Sequence, residues 1–201
     1  MLGPDPVVIE LRRGGWLRLL PGLLSVDEAD AALLALSGEL GWQQRSIVLF
    51  GKAVVQPRLI AWAGALPYRY SGQTLEPRPT PPSIAGLLDR ARHAADTRFN
   101  HVLLNRYRSG QDSMGMHADD EPELGPDPVV ATLSLGAERR FVLAPRRGAR
   151  QDRQVLALPH GSLLIMGGSC QRFYRHGVPR TAAPVGERVS LTFRKLLRAP
   201  S

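Results

Sequence analysis

Chemistry-bearing residues concentrate in the stretch Gly115-Met116-His117-Ala118-Asp119-Asp120-Glu121. In an extended segment, side chains two apart face the same way, so His117 and Asp119 can reach one ion together. Two neutral imidazoles and one carboxylate on one face of an octahedron leave positions open on non-haem Fe(II) for substrate and oxygen. The second imidazole must come from elsewhere, and His176, in Tyr174-Arg175-His176-Gly177-Val178, is the candidate. A His-x-Asp triplet alone is a weak signal, because short motifs recur by accident.

Downstream lies Arg188-Val189-Ser190-Leu191-Thr192-Phe193-Arg194. On a strand, Arg188, Ser190, Thr192 and Arg194 share one face and Val189, Leu191 and Phe193 the other. Two arginines on an inward face are costly to bury unpaired, and a small dicarboxylate would satisfy both through paired hydrogen bonds. The alternative is a half-exposed edge strand whose polar face meets water.

The elements that must position these residues can be read from the periodicity. Residues 1–15 read as an arm, in which Val7 to Leu11 could pair as an edge strand, and Leu17 to Leu24 leads into a helix. Ser25-Val26-Asp27-Glu28 is a capping box for that helix; Ala29, Leu33, Leu36 and Leu40 repeat at helical spacing, and Gly41 closes it. Ser46 to Phe50 and Arg58 to Trp62 are strand-like, with Gly51-Lys52 near a turn. A turn-rich piece carrying Tyr68 and Tyr70 precedes a second helix that starts at Pro81-Pro82 and buries Ile84, Leu87, Leu88, Ala91 and Ala95. From His101 onward the pattern is strands: His101 to Tyr107, Met114 to His117, Val129 to Leu135, Arg139 to Ala144, Gln154 to Leu158, Ser162 to Met166, Arg172 to His176 and Arg188 to Arg194. This predicts an α+β, mainly β fold, a jelly roll with two helices packed on one sheet. The organisation expected is an arm (1–15), a helical and nucleotide-recognition region (16–100) and a jelly-roll core (101–198), all within one structural domain.

The formal net charge of +8 favours an anionic partner such as nucleic acid. Yet 24 of the 26 basic residues are arginines, a skew that base composition alone can produce, so the charge is mild support. The single Cys170 forbids an internal disulfide, and no apolar run approaches the ~20 residues of a membrane span. The opening residues lack the basic-then-apolar order of a signal peptide. These readings predict a cytoplasmic monomer with no membrane partner.

With these motifs in place, the stretch from about Pro57 to Leu197 resembles the AlkB family of Fe(II)- and 2-oxoglutarate-dependent dioxygenases, closest to homologues that repair alkylated double-stranded DNA. The shared text is Phe99-Asn100, Leu104-Asn105-Arg106-Tyr107, His117-Ala118-Asp119-Asp120-Glu121, His160-Gly161-Ser162-Leu163-Leu164 and Leu191-Thr192-Phe193-Arg194-Lys195, with Phe50-Gly51-Lys52 and Tyr68-Arg69-Tyr70-Ser71-Gly72 upstream. The resemblance implies that His117, Asp119 and His176 ligate iron. It implies that Asn105, Tyr107, Arg188, Ser190, Thr192 and Arg194 hold 2-oxoglutarate, with Arg188, Tyr107 and Ser190 at the far carboxylate and Arg194 with Asn105 at the near one. Ser190 stands where many members carry Asn, which predicts a modest effect on cosubstrate affinity. The implied reaction uses O2 to hydroxylate an N-methyl group on a base, releasing formaldehyde, succinate and CO2. A methyl group on a pairing edge is hidden in a duplex, so the base must be flipped. The resemblance puts Tyr68 and Tyr70 around that base opposite His117, with Asp120 or Glu121 near its polar edge.

Phe50 reads either as an apolar wedge opening the duplex or as ordinary hairpin core; Gly51, Lys52 and Arg58 belong to the same contact region, the two cations as phosphate partners. Arg146-Arg147-Gly148-Ala149-Arg150 reads as a solvated hairpin tip, and His101, His160, Trp16, Trp42 and Trp62 as structural. The leading reading is a DNA oxidative demethylase acting on 1-methyladenine, 3-methylcytosine and, by extension, etheno adducts, in duplex or single-stranded DNA or RNA. The alternatives are a 2-oxoglutarate oxygenase on methylated RNA, protein or a small molecule, and a non-enzymatic nucleic-acid-binding module.

Overall fold

Residues 188–194 sit in the middle of the largest sheet, with a strand on each side and all seven residues buried. A computed structural model describes residues 5–49, 52–70, 72–148 and 152–197. In chain order the strands are β1 (Val7–Glu10), β2 (Gly15–Leu20), β3 (Ser46–Leu49), β4 (Lys52–Val55), β5 (Leu59–Gly64), β6 (Tyr68–Tyr70), β7 (Gln73–Leu75), β8 (His101–Tyr107), β9 (Met114–His117), β10 (Val130–Gly136), β11 (Arg139–Pro145), β12 (Gln154–Leu158), β13 (Ser162–Gly168), β14 (Tyr174–Val178) and β15 (Arg188–Arg194). The α-helices are α1 (Val26–Glu39), α2 (Pro82–Ala95) and the single turn α3 (Cys170–Phe173).

Seven strands form an antiparallel sheet in the order β1-β2-β13-β10-β15-β8-β5, and four more form a second sheet, β12-β11-β14-β9. Strands β8 to β15 divide evenly between the two sheets, which is the expected jelly roll. Alternation on β15 separates two environments. Val189, Leu191 and Phe193 pack with Ile84, Leu88 and Leu36 of the helices, while Arg188, Ser190, Thr192 and Arg194 face the opposite sheet. A second apolar cluster, including Leu164, Met166, Phe141 and Leu143, closes the gap between the sheets.

Both helices follow their signals. Ser25 caps α1 through Glu28, and the Glu28 carboxylate accepts from the Ser25 N–H in return. Pro82 opens α2, which buries Ile84, Leu87, Leu88 and Ala91. No helix among the described residues is long and apolar enough to cross a membrane.

Three details differ from the sequence reading, and one option it left open is decided. Residues 15–20 form β2 rather than a lead-in to a helix, because Leu17 and Leu19 alternate into the space between the sheets while the backbone pairs with β13. Val7–Glu10 takes the edge-strand option beside it. Helix α1 ends at Glu39 with Leu40 extended, so Gly41 is not its cap. The strand carrying His176 begins at Tyr174, because Cys170–Phe173 curl into a turn whose Arg172 and Phe173 N–H groups donate to the Ser169 carbonyl.

Candidate functional site

Antiparallel pairing of β9 with β14 sets His117 directly opposite His176, and the two imidazole centroids lie 4.3 Å apart. Gly177 permits this approach: a Cβ there would stand 2.7 Å from the Met114 carbonyl oxygen. Asp119, two residues past β9, brings Oδ2 to 3.4 Å from His176 Nε2. One donor atom from each residue falls within 4.8 Å of the other two. Burial would raise the Asp119 carboxyl, but the Arg194 guanidinium, donating to Oδ1 from Nε at 3.1 Å and Nη2 at 2.6 Å, and the His176 ring hold it far below the carboxylate range. Burial and the neighbouring His176 push His117 down to about 4, so at neutral pH its imidazole is in the form that ligates a metal. Asp119 Oδ2 is buried without a hydrogen-bond partner, a deficit a divalent cation would satisfy. The three residues therefore fit the iron-ligand set.

The pocket beside them is walled by β8 and β15. Arg188 is buried; its Nη2 donates to Ser134 Oγ at 2.9 Å, its guanidinium stands 5.2 Å over the Tyr107 ring, and its Nε and Nη1 have no partner. Arg194 Nη1 is likewise unpartnered. Buried guanidinium donors left open at two points of one pocket fit a small anion with two acceptor ends. Ser190 and Thr192 line the same wall. The half-exposed edge-strand alternative for residues 188–194 does not hold, because β15 has neighbours on both edges.

Asn105 also lines the pocket, but its Oδ1 accepts from Arg58 Nε at 2.7 Å rather than from Arg194. The expected phosphate contact of Arg58 is overturned: the side chain is 4% exposed, and its other donors go to Tyr70 Oη at 2.6 Å and the Ser113 carbonyl at 3.2 Å. Tyr68 and Tyr70 stand on β6 with ring centroids 6.2 Å apart, and Tyr68 meets His101 edge-on at 4.9 Å. Arg194 lies 5.4 Å over the Tyr68 ring, which joins these tyrosines to the metal end. Of the two acids proposed at a base edge, exposed Asp120 pairs with Arg146, whereas Glu121 is partly covered, with Oε2 buried and unpartnered. Burial and the Asp119 charge raise the Glu121 carboxyl above its ordinary value. Lys52 is exposed on β4. Phe50 and Gly51 lie outside the described residues.

Four contributors escaped the sequence reading. Thr132 and Ser134 of β10 sit opposite Thr192 and Ser190, Thr132 lining the pocket and Ser134 accepting from Arg188; the alternation Ala131-Thr132-Leu133-Ser134-Leu135 was the available signal. Gln171 Oε1 accepts the Asp119 N–H at 3.0 Å, and Phe141 stacks on His176 at 5.3 Å. His160 is structural as expected, its Nδ1 accepting from the Gly136 N–H at 2.8 Å.

Comparison with known proteins agrees with this arrangement. The sequence model of the 2OG-Fe(II) oxygenase superfamily matches residues 16–194. Human alpha-ketoglutarate-dependent dioxygenase alkB homolog 3 is 39% identical over 190 residues, covering 90% of this chain and 66% of its own length. Human DNA oxidative demethylase ALKBH2 is 38% identical over 186 residues, covering 87% and 71%; its Arabidopsis thaliana counterpart is 34% identical over 225, covering 96% and 70%. The chain thus spans just under two thirds of the alkB homolog 3 relatives' length. The solved structure of OsALKBH1 shares the fold with a TM-score of 0.65 at 20% identity, over 94% of this chain and 100% of that one.

Proposed function

This chain belongs to the 2OG-Fe(II) oxygenase superfamily, and on that premise we propose that it is an oxidative demethylase of N-alkylated bases in nucleic acid, preferring double-stranded DNA. The observation that carries the reading is the convergence of His117, Asp119 and His176 beside a pocket into which Arg188 and Arg194 direct unpartnered donors. His117, Asp119 and His176 would hold Fe(II); Arg188 and Arg194, with Asn105, Tyr107, Ser190 and Thr192, would hold 2-oxoglutarate. When bound with O2, these groups supply oxidation of an N-methyl carbon, with 2-oxoglutarate converted to succinate and CO2 and the carbon lost as formaldehyde.

The protein's own contribution is placement and charge. Arg194 keeps Asp119 ionised for a cation, and Gln171 fixes the backbone that carries it. Arg188 is held by Ser134 and Tyr107 in a dry wall, where pairing with a carboxylate is worth more than in water. Tyr68, Tyr70 and Glu121 would take the flipped base. The aromatic faces and a carboxylate favour a lesion such as 1-methyladenine or 3-methylcytosine, which carries positive charge, over the neutral base. The preference for duplex DNA is supported by the β3–β4 hairpin, whose Val54 and Val55 are exposed, and by Phe50 between those strands in sequence, an apolar residue suited to fill the gap a flipped base leaves.

Incubation with Fe(II), 2-oxoglutarate and a duplex carrying one 3-methylcytosine should yield formaldehyde, succinate and the restored cytosine. Binding of the duplex with no succinate formed would refute the enzymatic reading, and succinate with no repaired base would refute the substrate.

A further inference from the structure

We propose that Arg58 is a positioning residue whose single buried guanidinium fixes the donor direction of both the cosubstrate-binding Asn105 and the base-facing Tyr70; this rests on the functional reading above. The guanidinium donates to Asn105 Oδ1 at 2.7 Å, to Tyr70 Oη at 2.6 Å and to the Ser113 carbonyl at 3.2 Å. An N–H can bond only to the oxygen end of the amide, so the Asn105 Oδ1 is turned to Arg58 and its Nδ2 is left as a donor. Asn105 lines the pocket, and among the described residues that Nδ2 has no acceptor, which leaves it available to a carboxylate oxygen.

The same logic holds at the other end. Because Tyr70 Oη accepts from Arg58, its own proton must point elsewhere, and its neighbour is the Met114 thioether at 4.0 Å, a weak acceptor that a polar base edge would displace. The third bond ties Arg58 to Ser113, the residue just before the strand that ends in His117. All three partners are neutral oxygens, and a buried cation without a carboxylate is costly compared with an apolar side chain of similar volume. Packing therefore does not account for an arginine here, whereas orienting two acceptors from one rigid fork does.

The test measures binding, with Mn(II) in the metal site. Dissociation constants of 2-oxoglutarate and of a 3-methylcytosine oligonucleotide are compared in wild type, Arg58→Met, Asn105→Ala and Tyr70→Phe. Arg58→Met should weaken both ligands about tenfold, the size of one directed hydrogen bond, whereas Asn105→Ala weakens mainly 2-oxoglutarate and Tyr70→Phe mainly the oligonucleotide. Added to Asn105→Ala, Arg58→Met should weaken 2-oxoglutarate no further, because its effect runs through that amide. Unchanged affinities with a lowered melting temperature, or effects that multiply in the double variant, would overturn the proposal. If Arg58→Met does not fold, Arg58→Lys carries the test: one ammonium cannot reproduce the fork, so at least one affinity must fall about fivefold, and two wild-type affinities would overturn the proposal. A wild type that binds neither ligand would instead remove the functional reading, and the inference with it.

Discussion

His117 and His176 are set against each other by a strand pair inside a four-stranded sheet, and the two pocket arginines stand on a strand with neighbours on both edges. Tyr68 and Tyr70, by contrast, occupy a three-residue strand paired only with β7, and the β3–β4 hairpin is a two-stranded unit whose second strand is exposed throughout. The ladder that sets His117 against His176 also fixes their register, since a slip by one residue would turn one ring away from the other. The tyrosine end is held by side chains, with Arg58 and Arg194 contacting Tyr70 and Tyr68. On the proposed function, chemistry and base recognition are thus divided between the sheets and their attachments.

Removing a ligand should have the largest effect. Asp119→Ala takes away one of the proposed iron donors and leaves the buried Arg194 charge uncompensated. Succinate formation should fall by at least about 10³-fold, and the fold should lose about 3 kcal/mol, read by denaturant titration; an active variant would break the contrast at its strongest point. Next is Gly177→Ala, where the new methyl meets backbone on the facing strand. A cost of about 1–3 kcal/mol is expected, with weaker metal binding, whereas a change of similar size on β4 should cost far less.

The third effect is a pH dependence. Burial pushes His101 down to about 3, with Arg194 adding to the effect, so the folded protein keeps it neutral while the unfolded chain protonates near 6.5. Its contribution is fully present above that pH and is lost progressively as the pH falls from 6.5 toward 3, amounting to about 2 kcal/mol by pH 5. His101→Leu should flatten the stability profile between pH 7 and 5, whatever its effect at neutrality, and an unaltered slope would refute the assignment. The smallest effect is expected from Val54→Ser with Val55→Ser: stability within about 0.5 kcal/mol of wild type, but poorer binding of the lesion duplex. A large loss of stability would show the hairpin to be core.

The arginine motif was legible because strand periodicity decides which residues share a face, and β15 obeys it along its whole length; His117 and Asp119 were paired on the same extended spacing although Asp119 lies two residues past β9, and nothing local in the sequence joined His176 to them. The starts of both helices were legible for an equally local reason, a capping box in α1 and a proline in the first turn of α2. What stayed hidden depends on neighbours distant in the chain. Arg58 reads as a surface cation until Asn105 and Tyr70 are brought beside it, and Gln171 has no signature because its partner is the Asp119 backbone. Residues 15–20 follow a strand pattern too short to outweigh the capping box that follows, and only pairing with β13 decides the matter.

The central place of β15 also bears on how the molecule opens. Hemmed on both edges by hydrogen-bonded partners and on both faces by packed side chains, its amides can meet solvent only when the entire structure lets go. Opening of the outlying hairpins alone would therefore leave Arg188 and Arg194 in register, and proton exchange along 188–194 should be as slow as global unfolding itself.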